Sequence, residues 1–376
     1  MYFVLYFLRF IFFCYKILMV NTKKSKKMST MSKKYKGVKS LPKKPTLKSK
    51  LNSQLVVNSK SKKTRKQSKK IKVIIVERKL SDEYMKSKEG EYFDKKAYDM
   101  VVDCNADVYY YEEGKKKTLL KFRKNVIPEH LCKLGIVSLK EAAKKPHDNR
   151  GAAAGVLDDK KLPAYAQGKQ LIGKSKFRAT AYKSYLTGEI IQNSLGNLSQ
   201  SNIIGYYDKR DRNFKDSPPC RLTAFSAQQV EKWNNVIPLI ENIDKKFKQL
   251  IPKNHRIQYN QAHETDFVIG NTAFSTLTIN YNWRTALHKD AGDLKEGFGN
   301  LVVLEEGDYE GGYTGFPQFK VAVDCRHGDF LAMDVHEWHC NTKIFPKSKD
   351  YTRLSLVAYL REKMINCKGM KLPKSN

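Results

Sequence analysis

No Cys-x-x-Cys pair, no internal repeat and no acidic residue between positions 21 and 70 occur in this chain of 376 residues. The seven cysteines, at 14, 104, 132, 220, 325, 340 and 367, are odd in number and scattered. That pattern predicts a reducing, intracellular protein without a disulfide framework, and it excludes a structural zinc knuckle. Long uninterrupted apolar runs are also lacking. MYFVLYFLRFIFFCYKILMV at the start approaches the length of a bilayer span, but it carries Arg9 and Lys16, which disfavour insertion. No small-residue cleavage site follows it, so a signal peptide is not expected and a membrane anchor by residues 1–20 is disfavoured. Met19, Met28 and Met31 offer later starts, and the status of this hydrophobic segment is left open.

What is present in abundance is positive charge. The chain holds 71 Lys and Arg against 38 Asp and Glu, a formal net charge of +33. Positions 21–70 contribute 19 Lys and Arg with no acid to offset them. Such an excess points to a polyanionic partner, nucleic acid before membrane. Residues 21–71 have too little apolar surface to offset their ordering entropy and are expected to form a disordered Lys-rich tail. KSKKTRKQSKKIK at 60–72 reads as a nuclear-localisation or phosphate-contacting patch.

From residue 72 the pattern changes. IKVIIVE reads as a strand, and VVDCNADVYYYEEGKKKTLLKFRKNVIP as a hairpin turning at Gly114. PEHLCKLGIVSLKEAAKK reads as a helix with a break near Gly135. Residues 146–176 read as a long functional or mobile loop, and RATAYKSYLTGEII as the start of a helix followed by a strand or loop. Ser226 and Gln229 suggest a capping box. It opens a helix whose apolar face runs through Val230, Trp233 and Ile237, is kinked or restarted by Pro238, and is ended by Pro252. Residues 72–200 thus form an N-terminal part of helices and hairpin. Beyond Phe267 the period becomes two: FSTLTINYN, LVVLEE, FKVAVDC, GDFLAMD and TRLSLVAYL alternate, separated by Gly-rich or polar turns. Short strands without intervening helices predict a sandwich or jelly roll. The predicted fold class is therefore α+β: a double-stranded β-helix (cupin-like jelly roll) flanked by helices, over residues 201–365, with a basic tail at 366–376.

The chemistry lies on those strands. His288 and Asp290 are two residues apart, so on extended backbone both side chains face one way. His339, preferred over His336, supplies a distant third donor, and Arg353 follows fourteen residues later on the last strand. Two histidines and one carboxylate form the facial triad of a non-haem iron(II) site with open positions. An arginine behind it can pair bidentately with the far carboxylate of 2-oxoglutarate. Ser355 shares its face and can add a hydrogen bond.

The run NWRTALHKDAGDLKEGFGNLVVLEEGDYEGGYTGFPQFKVAVDCRHGDFLAMDVHEWHCNT resembles the oxygenase domain of the TET and J-binding protein families, and the likeness extends over roughly Ser201 to Arg361. HKDAGD and GFGNLVVLEEGDYEGGY are particular to that group. The resemblance implies an Fe(II)/2-oxoglutarate dioxygenase that oxidises the 5-methyl group of 5-methylcytosine or thymine in double-stranded DNA, with the base flipped out. It implies Fe(2+), 2-oxoglutarate and O2, with ascorbate as an admissible reductant. It assigns Asp293 to reading the base edge and places Arg284 within reach of the proximal carboxylate of 2-oxoglutarate. Asn280 is a further candidate for orienting a ligand. Tyr206, Phe267, Trp283 and Phe298 are the aromatics that could stack on a flipped base. The cysteine-rich module of animal TET enzymes and a separate base-J-binding domain are both missing. DNA affinity is therefore expected from tail contacts to phosphates and from basic stretches near 115–125 and 160–178. No stable protein partner is expected, and the expected location is the nucleus or a site of DNA replication. The alternatives are an oxygenase acting on RNA or protein, and an inactive DNA-binding protein.

Overall fold

The computed structural model describes residues 70–208 and 219–370; the expectations for residues 1–20, for nearly all of the Lys-rich tail and for positions 371–376 lie outside them. Eighteen strands are described. The first four are β1 (Lys72–Ile75), β2 (Met100–Val102), β3 (Ala106–Glu112) and β4 (Lys115–Arg123). A middle group holds β5 (Leu171–Ile172), β6 (Arg178–Lys183), β7 (Ile190–Gly196), β8 (Ser201–Tyr207) and β9 (Arg221–Leu222). Then come β10 (Thr276–Tyr281), β11 (Gly299–Glu306), β12 (Tyr309–Gly311), β13 (Thr314–Phe316) and β14 (Val321–Val323). The last four are β15 (Phe330–Met333), β16 (Cys340–Asn341), β17 (Ile344–Pro346) and β18 (Thr352–Tyr359).

Nine strands form the large sheet in the order β1-β3-β4-β15-β11-β18-β10-β8-β9. A second sheet, β16-β13-β14-β2, packs against its inner face. This is the two-layered strand core expected of a jelly roll. Period-2 alternation decides which side chain goes where. On β11, Leu301 and Val303 point into the space between the sheets, while Val302 and Leu304 point to the helices. On β15, Leu331 and Met333 point inward, and Phe330 and Ala332 outward. On β18, Leu354, Leu356 and Ala358 join the helix-facing core. Arg353, Ser355, Val357 and Tyr359 are thereby left on the inner face.

Helices α1 (Asp82–Ser87), α2 (Glu129–Lys144), α3 (Ala224–Gln228), α4 (Val230–Leu250) and α5 (Pro252–Ala262) complete the described elements apart from short 3-10 turns. Helices α2 and α4 cover the outer face of the large sheet through Leu131, Ile136, Leu139, Val236, Leu239, Ile240 and Ile243. Gly135 does not break α2. A Cβ there would stand 2.7 Å from both Leu239 and Leu304, so glycine is what lets α2 press against α4 and β11. Pro238 sits inside an uninterrupted α4, and Pro252 opens α5, the position where its missing N–H costs nothing.

Three local expectations are corrected. Ser226 and Gln229 form no capping box: the Ser226 hydroxyl accepts the Gly205 N–H at 2.8 Å, and Gln229 merely precedes α4. Residues 178–196 are not helical but pair as the β6–β7 hairpin, with β5 beside it. The 146–176 stretch is largely loop as expected, with short 3-10 turns at Gly151–Ala154 and Asp159–Lys161 and β5 within it. The expected lack of disulfides fails at one place: Cys220 and Cys367 are bonded across a separation of 147 residues. A separation that long leaves no local spacing signature. Cys367, assigned to a basic C-terminal tail, is fully buried. Among the described residues no helix is long and apolar enough to cross a membrane.

Candidate active site

His288 and Asp290 lie on extended chain between β10 and β11, and His339 stands immediately before β16. Backbone pairing brings the two segments together. His288 N–H donates to the His339 carbonyl at 3.0 Å, and the reverse bond is also 3.0 Å. Asp290 N–H donates to the Val335 carbonyl at 3.0 Å. The donor atoms of His288, Asp290 and His339 all lie within 4.8 Å of one another. His288 Nε2 is 3.4 Å from one Asp290 oxygen, and His339 Nε2 is 3.8 Å from the other.

Both imidazoles are oriented by carbonyls. His288 Nδ1 meets the Ala286 carbonyl at 2.8 Å, and His339 Nδ1 meets the Glu337 carbonyl at 2.9 Å. A carbonyl only accepts, so each Nδ1 carries the proton and each Nε2 presents its lone pair to the same point. Burial, with His288 as a second cause, drives His339 down from 6.5 to about 4, so it stays a neutral donor. Burial works to raise Asp290, but its close contacts with His288 and His339 and the charge of Arg150 hold it at about 2. Two neutral imidazoles and one carboxylate fit a divalent first-row ion.

These shifts have a measurable consequence in metal-free protein. Above pH 6.5 His339 is neutral whether the chain is folded or not. As pH falls from 6.5 towards 4 the unfolded chain takes up a proton that the folded chain refuses, so stability is progressively lost. Asp290 adds a second loss between 3.8 and about 2. Urea titrations should show a midpoint that falls between pH 6.5 and 4, and His339→Gln should flatten this dependence; an equal slope in the variant would refute it.

The carbonyl that orients His339 is itself fixed from the N-terminal side of the domain. Arg78 grips both Glu337 carboxylate oxygens at 2.7 Å, and Tyr110 donates to one of them at 2.9 Å. Trp338 Nε1–H donates to Asp82 at 3.1 Å. Nothing in the spacing of Arg78 or Tyr110 signals this, because the contact spans more than two hundred residues.

Around the triad lies a cavity of about 500 Å³. Its lining includes Asn280 and Ser355, joined by a 3.1 Å hydrogen bond, together with Asp293, Trp283, Thr314, Tyr359 and Arg361. Of the four aromatics considered for stacking, Tyr206, Phe267 and Phe298 are core residues, and only Trp283 reaches the cavity. Burial, reinforced by the Asp290 charge, pushes the Asp293 carboxyl well above the carboxylate range despite Arg361 and Arg150. Arg353 projects from the same face of β18 as Ser355 and is 1% exposed. Its Nη2 donates to the Gly312 carbonyl at 3.0 Å, while its Nε is buried without a partner. A Cβ at Gly312 would stand 3.2 Å from that Nε, so the glycine keeps the guanidinium approachable. A buried cation with an unfilled donor suits an anionic carboxylate, the group a 2-oxoacid would bring.

Arg284 is a correction. It turns away from the cavity, ion-pairs with Asp94 at 2.8 Å, donates to the carbonyls of Asn341 and Phe93, and stacks over Tyr92. It ties the triad loop to the N-terminal segment instead of reaching a cosubstrate. Arg150 was missed, hidden in a Gly- and Lys-rich stretch that reads as loop. It lines the cavity, interacts through space with Asp290 and Asp293, and has its Nε and Nη2 buried without partners.

Residues 202–362 match the Tet_JBP family model, described as the oxygenase domain of the 2OGFeDO superfamily. Among known proteins the chain is similar to thymine dioxygenase JBP1-B of Trypanosoma cruzi, 35% identical over 221 residues that make up 57% of this chain and 25% of the relative. It is similar also to the bifunctional helicase and thymine dioxygenase JBP2 of Leishmania major, 35% identical over 159 residues, or 42% of this chain and 14% of that one. The chain spans about a quarter of the length of the JBP1 relatives it matches. A solved structure of NgTET1 in complex with 5mC DNA aligns with a TM-score of 0.44 and 14% identity, covering 81% of this chain and 86% of that one.

Proposed function

We propose that the protein is an Fe(II)/2-oxoglutarate dioxygenase that hydroxylates the 5-methyl group of a pyrimidine in DNA. The observation that carries this reading is the meeting of His288, Asp290 and His339 in one cavity, with Arg353 on the same inner face of β18 as the cavity-lining Ser355. His288, Asp290 and His339 would hold the metal, and Arg353 with Ser355 would hold the far carboxylate of 2-oxoglutarate. With iron, 2-oxoglutarate and O2 bound, the site would place one oxygen atom in a methyl C–H bond and the cosubstrate would leave as succinate and carbon dioxide. The chain's own part is to orient both imidazoles, keep the donors deprotonated and exclude bulk water.

A 5-methyl group inside a duplex cannot reach a cavity of this kind unless the base leaves the stack. Asp293 and Trp283, which line the cavity, would then meet its edge and face. The resemblance to thymine dioxygenases makes thymine the first substrate to try. An Asp293 that keeps its proton can donate to thymine O4, whereas as a carboxylate it accepts from cytosine N4, so 5-methylcytosine is the second. Nucleoside mass spectrometry after incubation with iron, 2-oxoglutarate and either thymine- or 5-methylcytosine-containing duplex should show a 5-hydroxymethyl base in one of them. Turnover of 2-oxoglutarate with neither base oxidised would move the reading to an RNA or protein substrate. No turnover at all would leave an inactive DNA-binding protein. The basic tail would contact phosphates, and a nuclear or replication-site location accords with a DNA substrate.

A further inference from the structure

A second cleft, of about 350 Å³, borders the first through the segments at 293–295 and 333–334. Its lining brings together Lys116 and Lys117 from β4, Lys253 from the first turn of α5, and Lys295 from the loop that follows Asp293. The two cavities share structure. Met333 lines the catalytic one and Asp334 the lysine cleft, while Asp293 and Lys295 stand two residues apart on the loop between them.

The convergence is built rather than incidental. Asn254 donates to the Glu296 carbonyl at 2.8 Å, and the Phe298 N–H donates to Gln258. Gly297 is so close to α5 that a Cβ would stand 2.6 Å from the Gln258 oxygen. The loop carrying Lys295 is therefore clamped onto the helix carrying Lys253. Among the described residues neither Lys253 nor Lys295 has an ion-pair partner. Lys117 has only Glu112, at 3.8 Å and half exposed. The one acid of the cleft, Asp334, is already engaged by His336. Lys116 holds its ammonium over the Tyr109 ring at 4.0 Å, while Lys253 and Lys295 bring positive charge without a partner to the cleft, which an anion there would relieve. Lysine serves phosphate as a point charge and does not require planar geometry.

We propose that this cleft holds the phosphodiester backbone of the substrate strand beside the flipped nucleotide, and so sets the register with which the base enters the catalytic cavity. The proposal rests on the DNA reading above. It gives the cleft the task that phosphate contacts perform elsewhere, which is positioning without sequence choice.

The test is the salt dependence of duplex binding by the full chain, measured by fluorescence anisotropy, alongside base oxidation by the wild type. Each phosphate contact contributes about 0.9 to the slope of log K against log salt, so Lys253→Gln/Lys295→Gln should lower the slope by about 1.8. Lys253→Arg/Lys295→Arg should restore it, because charge and not side-chain shape is what counts. Thermal melting of both variants separates this loss from misfolding. Base oxidation by the wild type with an unchanged slope in the Gln variant overturns the cleft assignment alone. A restored slope that fails to appear in a folded Arg variant overturns it as well. Absence of duplex binding and of base oxidation by the wild type overturns the DNA reading, and the cleft's role with it.

Discussion

Asp290→Ala abolishes 2-oxoglutarate turnover, with an expected loss of about 1,000-fold or more, equivalent to at least ~4 kcal/mol of transition-state stabilisation. The triad offers one negative charge. Without it, two neutral imidazoles remain, and a dication held by neutral donors alone binds weakly and keeps no fixed facial geometry. The fold should survive, because the His288 and His339 rings stay anchored through Nδ1 to the carbonyls of Ala286 and Glu337. Asp290→Asn, which preserves shape and removes charge, should fall nearly as far. Succinate formation is the readout, with circular dichroism as the control for folding. Turnover within tenfold of wild type would remove Asp290 from the metal site.

Arg353→Met separates binding from stability in a way that few buried-arginine variants do. Two charge-assisted hydrogen bonds to a carboxylate are each worth about 1.5–3 kcal/mol, so the KM for 2-oxoglutarate should rise by roughly 100-fold or more. Without cosubstrate, however, the Arg353 Nε is a buried donor with no partner, and leaving such a group unpaired is costly. An apolar side chain of similar length removes that cost but also strips the Gly312 carbonyl of the Arg353 Nη2 donor, so the melting temperature of the cosubstrate-free variant should stay close to that of wild type. Arg353→Lys should rescue little, because an ammonium cannot present two parallel N–H bonds. A variant that melts much earlier with an unaltered KM would make Arg353 a structural residue and nothing more.

The legible parts of this chain were those with a short period. The alternation of TRLSLVAY places Arg353 and Ser355 on one face and Leu354 and Leu356 on the other, and β18 does so. The two-residue step from His288 to Asp290 carries both side chains to the same point, although on extended loop backbone and not within a named strand. His339 was separable from His336 by its distance to Arg353. His336 lies outside the triad, against Asp334. What stayed hidden depends on contacts over long separations. Arg150 sits in a stretch whose glycines and lysines read as loop, and only folding shows its guanidinium beside Asp290. Arg284 has the right neighbours in sequence, but Asp94 and Tyr92, nearly two hundred residues away, draw it off. Gly135 reads as a helix breaker until Leu239 and Leu304 are seen on either side of it.

The two sheets also bear on what can be cut away. Strand β15, which runs from the distal-histidine side of the site, is hydrogen-bonded to β4, and β14 in the facing sheet is hydrogen-bonded to β2. Both partners come from well before residue 202, where the family match begins. A fragment trimmed to 202–362 would keep every triad residue and Arg353, yet it would open two strand edges and lose the Arg78 clamp on Glu337. Raw strand edges of that kind are templates for aggregation. The stretch recognisable by kinship is thus smaller than the unit that can fold, and heterologous expression should start no later than β1.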